Sequence, residues 1–115
     1  MISGSASRRY ARAILGIGQS QGNLESLTAE VERLASAIEQ SADLRTVLLN
    51  PAFSQTQRQE VLGSVCQRLA LSKTSQNLAQ LLLSRGRVAN LPGIARSLRQ
   101  MVDEVAGRVR VRLTS

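Results

Sequence analysis

From residue 5 to residue 107, aliphatic side chains return at intervals of three and four residues, and that spacing restricts nearly the whole chain to packed helices. The core such helices can build is narrowly defined. Tyr10 and Phe53 are the only aromatic residues, so the interior must be interleaved Leu, Val, Ile and Ala, a composition that suits helix-on-helix packing better than a sheet sandwich. With 115 residues, 43% of them apolar, there is room for one domain and one core.

Turn and cap residues divide the periodic stretch into six helices. The first spans about residues 5–20, with Ala6, Tyr10, Ala13 and Ile17 on one stripe and Ala11, Ile14, Leu15 and Gly18 on another, and Gly22 supplies the stop. The second covers residues 24–40, turning Leu24, Leu27, Val31, Leu34, Ala35 and Ile38 inward and its carboxylates outward. A short third helix, residues 43–49, has Ser41 as its cap and ends at Asn50-Pro51, because the residue before proline resists helical angles. Ser54 and Gln57 have capping-box spacing and open a fourth helix through Val61, Leu62, Val65 and Leu69. Ser72 caps a fifth, read over residues 78–85, whose Leu78, Ala79, Leu81, Leu82 and Leu83 surround most of its circumference before Gly86 ends it. The sixth begins near Leu91-Pro92 and carries Ile94, Leu98, Met101, Val102 and Val105 to Gly107. After Gly107 the period changes: Val109, Val111 and Leu113 alternate with Arg108, Arg110 and Arg112, which predicts a strand. Residues 1–107 are therefore expected to form a helical domain, and residues 108–115 an extended segment that starts a second, absent domain.

Charge is abundant and uneven. The net charge is +7, carried by arginine, since Lys73 is the single lysine. Residues 23–43 hold five acids against Arg33 alone, whereas basic clusters occur at Arg8, Arg9 and Arg12, at Arg85, Arg87, Arg96 and Arg99, and at Arg108, Arg110 and Arg112. Such a field favours an acidic partner. Nucleic-acid binding is one reading of it, although two aromatics offer bases little to stack on.

Catalytic chemistry finds few candidates. The chain has no histidine, no nucleophile elbow and no glycine-rich phosphate loop; Asp103 and Glu104, adjacent in a helix, diverge by about 100° rather than converging on a substrate. Cys66, the one cysteine, excludes an internal disulfide or thiolate metal cage and reads as a small buried hydrophobe in a reducing, intracellular setting. No cofactor and no metal are expected. No stretch approaches the roughly 20 apolar residues of a membrane span. Gly16, Gly18 and Gly63 lie inside helices, where glycine costs about 1 kcal/mol against alanine; close approach of another group and simple tolerance both account for them. The first and fifth helices carry more apolar surface than one contact needs. Either all of it is core, or two neighbouring stripes form a groove able to receive an amphipathic helix.

In their order and spacing, Arg9-Tyr10-Ala11-Arg12-Ala13, Asn50-Pro51, Leu62, Asn77-Leu78 with Leu81-Leu82, Gly86-Arg87-Val88, Leu91-Pro92, and Glu104 with Gly107 resemble the N-terminal domain of the δ subunit of F-type ATP synthases, the oligomycin sensitivity-conferring protein family of mitochondria. The resemblance implies an all-α six-helix bundle on the catalytic head, part of the peripheral stalk, and a non-catalytic stator role. It implies that the N-terminal helix of an α subunit lies between the first and fifth helices, with Tyr10, Ala13 and Ile17 on one wall and Leu78, Leu81 and Leu82 on the other, and Arg85 available to an acid of the partner. It also implies contact with the stalk b subunit through a missing C-terminal domain, no nucleic acid, and indirect membrane association, at the cytoplasmic face of a bacterial inner membrane rather than in an organelle. Gly16 and Gly18 depart from the bulkier residues usual there, which makes the lower groove shallower or the helix end weaker.

Overall fold

The computed structural model describes residues 4–114, with side chains described for residues 6–107. Six α-helices follow one another: α1 (Gly4–Gln21), α2 (Leu24–Gln40), α3 (Ala42–Leu49), α4 (Gln55–Arg68), α5 (Lys73–Ser84) and α6 (Leu91–Thr114), with a 3-10 turn, Val88–Asn90, before the last.

Local chemistry explains the boundaries. Ser41 Oγ accepts from Leu44 N at 3.1 Å at the head of α3. At α4 both halves of the capping box form: Gln57 N donates to Ser54 Oγ at 3.1 Å and Ser54 N to Gln57 Oε1 at 2.9 Å. Ser72 caps α5 by accepting from Ser75 N, so α5 begins at Lys73, a turn and a half before the expected residue 78; its polar first turns hid it from a reading based on leucine spacing.

Three helices end through one device. Gly22 (φ +71) and Gly86 (φ +67) take the left-handed conformation after α1 and α5, and the next residue donates back across the turn, Asn23 N to Gly18 O at 3.0 Å and Arg87 N to Leu82 O at 2.8 Å. Ala70 does the same after α4 at φ +55, with Leu71 N reaching Cys66 O at 3.0 Å. A side chain is strained in that region, which makes Ala70 a costly stop.

One expectation is overturned. Residues 109–113 are not a strand, because α6 continues through them to Thr114. A lone strand leaves its N–H and C=O groups without a ladder, whereas a helix satisfies them from its own backbone, and Gly107 is only a weak interruption. The side chains of Arg108, Arg110 and Arg112 lie outside the described residues.

The core is aliphatic, as the composition requires. Leu27, Leu62, Leu91, Ile94 and Leu98 are fully buried, and Cys66 joins them. Burial pushes the Cys66 thiol up from its ordinary pKa, so it packs as a hydrophobe. Helices α1, α2 and α6 pack against one another, α4 packs on α5, and α3 bridges α2 to α4. Helix α2 is the common support, touching both α1 and α5.

The two groups of unexplained glycines separate here. A Cβ on Gly18 would meet Leu24 Cα at 2.9 Å, so this glycine permits α1 and α2 to approach closely around the turn. Around Gly16 there is nothing within 4 Å, and Gly63 meets only the end of Gln80 at 3.9 Å; both are tolerated rather than required.

Candidate functional site

Helices α1 and α5 both rest on α2 but share no extensive packing with each other among the described residues. Between them runs a narrow crevice of about 10 Å³, scarcely room for one water, with Ile14 on one side, Leu78, Ala79 and Leu82 on the other, and Val31 and Leu34 of α2 at its floor. The helices run in opposite senses. Thr74, at the start of α5, donates to Gln21 at the end of α1 (3.3 Å), while Ser7, near the start of α1, abuts Gly93 in the first turn of α6, just beyond the end of α5.

The seven residues expected to line a groove do not share one environment. Ala13 and Leu81 are exposed, Leu81 to 43%, which is unusual for a leucine in a helix that packs against its neighbours. Tyr10, Ile17 and Leu78 are half-buried, packed against the core along one edge. Arg85 caps the end of α5 and is exposed. Leu82 differs: at 3% exposure it belongs to the core beneath the crevice and is not part of an open wall. Its position one residue beyond Leu81 turns it by about 100°, from solvent to interior.

Glu30 was not anticipated. Read as one of the outward carboxylates of α2, it instead reaches across to α5, where Oε1 accepts from Ser72 N (3.1 Å), Ser72 Oγ (2.7 Å) and Ser75 Oγ. Burial pushes its pKa up, but the bonds from Ser75 and Ser72, with the charge of Arg33, outweigh that and hold it below the ordinary value. Its signal in the sequence was faint: an acid four residues after Ser26 looks like any solvated position. Glu30 therefore fastens α5 onto α2 and closes one end of the crevice it lines.

The arginines divide by role. Arg99 donates to Glu32 through two nitrogens (3.0 and 2.8 Å) and to Glu25 through a third (3.0 Å), tying α6 to the acidic face of α2. The hydrogen bonds and charge of Arg99 hold the Glu32 carboxyl below its usual range, against the opposing effect of burial. Arg33, Arg45 and Arg58 donate to the carbonyls of Leu69, Ile38 and Asn50 at 3.0 Å, serving as helix-end ties. In contrast Arg8, Arg9, Arg12, Arg85, Arg87 and Arg96 are exposed, and their guanidinium groups make neither ion pair nor hydrogen bond among the described residues. Arg8 and Arg12 face α6 across a depression of about 330 Å³ with Met101 and Glu104, on the side of α1 away from α5.

A larger hollow lies elsewhere. Leu44 and Val47 of α3, Val61, Val65 and Leu69 of α4, and Ala37 of α2 line about 520 Å³ open to solvent. From the sequence, Val61, Val65 and Leu69 mark only the apolar positions of the fourth helix, with no site assigned to them. Among the described residues no group of His, Cys, Asp and Glu is arranged to hold a metal, and no helix is long and apolar enough to cross a membrane.

A family model described as ATP synthase delta (OSCP) subunit matches residues 6–115. The chain belongs to this family. Individual delta-family relatives extend the match: it is 39% identical over 115 residues to ATP synthase subunit delta of Anaeromyxobacter dehalogenans (strain 2CP-C) and 39% identical to that of Geobacter metallireducens, with all of this chain and 64% of each relative covered. ATP synthase subunit delta of Myxococcus xanthus is 38% identical over 117 residues with the same coverage. The chain thus spans 64% of the length of the curated relatives it matches. The resemblance read from the Arg9-Tyr10-Ala11-Arg12-Ala13 and Asn50-Pro51 segments is borne out, as is the all-α delta-family bundle.

Proposed function

We propose that this chain is the helical domain of a non-catalytic peripheral-stalk (stator) subunit of an F-type ATP synthase, and that it tethers the catalytic head by binding the N-terminal helix of an α subunit between α1 and α5. Family membership supports the stator role. The observation that carries the binding mode is the separation of α1 from α5 over a shared α2 support, which leaves Ala13 and Leu81 uncovered along a line of half-buried Tyr10, Ile17 and Leu78. An amphipathic helix laid along that line completes the burial of both edges. For Leu81 alone, removing its remaining exposed surface from water contributes about 1 kcal/mol.

A stator resists torque without chemistry, so its task is slow release rather than turnover. Apolar burial suits that task because it does not weaken with ionic strength as surface ion pairs do. The remaining third of the full-length subunit would reach the stalk b subunit, residues 108–115 would lead into it, and the assembly would hold this domain at the cytoplasmic face of a bacterial membrane without a span of its own.

The deciding experiment is titration calorimetry of this chain with a peptide of the α-subunit N-terminus. Saturable binding with a negative heat-capacity change is expected, and Ala13→Asp, at an exposed position, leaves the fold intact while abolishing it, since a carboxylate would be desolvated under the guest. Unchanged affinity in that variant refutes the site. The exposed arginines favour a second reading, a basic nucleic-acid-binding module; affinity for RNA that falls steeply with salt, without affinity for the peptide, would establish it.

A further inference from the structure

On the side of α1 away from α5, the packing of α1 on α6 leaves a recess of about 330 Å³. Ser7 abuts Gly93, while Leu15 lies with Met101 and Glu104, so the two helices run in the same sense. Arg8 and Arg12 stand one turn apart on the α1 side, both exposed, and neither guanidinium has an ion pair or hydrogen bond among the described residues. Half-buried Leu15 and Met101 supply apolar surface, Gln100 a side-chain amide, and Glu104 a carboxylate that is itself unpaired among the described residues.

This arrangement is electrostatically unfavourable in the isolated fold. Arginines four residues apart on a helix repel each other. Two parallel helices add their macrodipoles, and both positive ends lie toward Arg8. Helix α1 contains no acid to offset them, and the carboxylates of Glu25, Glu32 and Asp103 are drawn to Arg99, on the side of α6 that faces α2. Neutralising charge is left to a partner, and the recess limits what can bring it. A nucleic-acid backbone has no apolar group to lay on Leu15 and Met101 and is repelled by Glu104; a lipid surface is too flat to fill a concavity. A polypeptide can present carboxylates, an aliphatic side chain and a donor for Glu104 together.

We propose that this recess is a protein-docking surface distinct from the α1/α5 crevice, and that its occupant is an acidic amphipathic segment of a neighbouring subunit. That segment carries two carboxylates one turn apart for Arg8 and Arg12, an apolar residue for Leu15 and Met101, and a lysine, arginine or hydroxyl side chain for Glu104. Arg8 and Leu15 are seven residues apart, so the contact runs about 10 Å along α1, two turns. This rests on the stator reading above, which supplies neighbouring subunits, and is independent of what lies between α1 and α5.

The test is carbodiimide cross-linking in the assembled complex. Membranes stripped of the subunit are rebuilt with the full-length subunit carrying Arg8→Lys or Arg12→Lys. Each substitution keeps the charge and introduces an amine that carbodiimide joins to a carboxylate in contact with it; Lys73, the single lysine of this chain, marks background reactivity. An amide bond from position 8 or 12 to an Asp or Glu of another subunit is expected. A bond only to Glu104 or elsewhere in the same subunit, or no bond in a rebuilt complex, overturns the proposal. As a second arm, Arg8→Glu combined with Arg12→Glu, at exposed positions, is expected to weaken rebinding roughly five- to fiftyfold at low salt and less at high salt, with far-UV circular dichroism unchanged. Unaltered rebinding overturns the proposal, and a simultaneous loss of affinity for duplex RNA would assign the recess to nucleic acid instead. Failure of the parent subunit to rebind stripped membranes overturns the stator reading and this docking with it.

Discussion

Two glycines two residues apart in α1 should respond to the same substitution with opposite sign. Replacing glycine by alanine inside a helix gains about 1 kcal/mol, because alanine loses less backbone freedom on folding. At Gly16 nothing lies within 4 Å of the new methyl, so the whole gain should appear, raising the melting temperature by about 4–8 °C for a domain near this size. At Gly18 the same methyl would sit 2.7 Å from Leu24 Cδ1 and 2.9 Å from Leu24 Cα. The first contact can be relieved by a rotamer change; the second can be relieved only by moving the first turn of α2. That turn is held by the Asn23 N to Gly18 O bond at 3.0 Å, so the methyl pushes against the atoms that join the two helices. Overpacking of this kind costs about 1–3 kcal/mol, enough to cancel or exceed the propensity gain. Thermal and urea unfolding followed by far-UV circular dichroism should therefore show Gly16→Ala above the parent and Gly18→Ala at or below it. If both variants are stabilised equally, the close approach at Gly18 is wrong.

Ala70 holds a left-handed conformation that costs a side chain about 1–2 kcal/mol, so Ala70→Gly should raise stability by up to about 1 kcal/mol in the same unfolding assay, a gain absent if α4 ends another way. Leu82→Ala should lower stability by about 2–5 kcal/mol, whereas Leu81→Ala should change it by less than about 1 kcal/mol; comparable losses would deny that the two leucines face different surroundings. Glu30 and Glu32 both have folded pKa values below their ordinary ones, so their stabilising effect is complete above the unfolded value of about 4.3 and is lost as pH falls through the folded values. Urea titrations between neutral and acidic pH should show Glu32→Gln with a shallower acid decline than the parent, and an unchanged slope would remove the Arg99 pairing from the account.

The helical architecture was legible because its determinants are local. Ser41, Ser54 and Ser72 cap what they were expected to cap, and Gly22 and Gly86 stop what they were expected to stop. Residues 109–113 were misread because alternation of Val and Arg reports side-chain chemistry, while the choice between strand and helix depends on whether a neighbouring strand exists to pair with, which a local pattern does not encode. Leu82 was assigned to an open wall because a helix apolar nearly all round gives no internal sign of which leucine faces out; that depends on where α2 lies. Glu30 shows the same limit in reverse, since an acid on a polar face becomes a clamp only when Ser72 and Ser75, more than forty residues away, are folded beside it.

Because α2 carries α1 and α5 separately, the two flanking helices need no extensive packing on each other to stay in position. On the proposed helix-binding reading, a guest would lie over the crevice along the exposed Ala13 and Leu81 rather than prise the two helices apart, and the conformational penalty of association would fall on the visitor, which must become ordered. On that reading, attachment through such a pre-braced fork would give a mechanical linkage whose stiffness is inherited from the beam underneath.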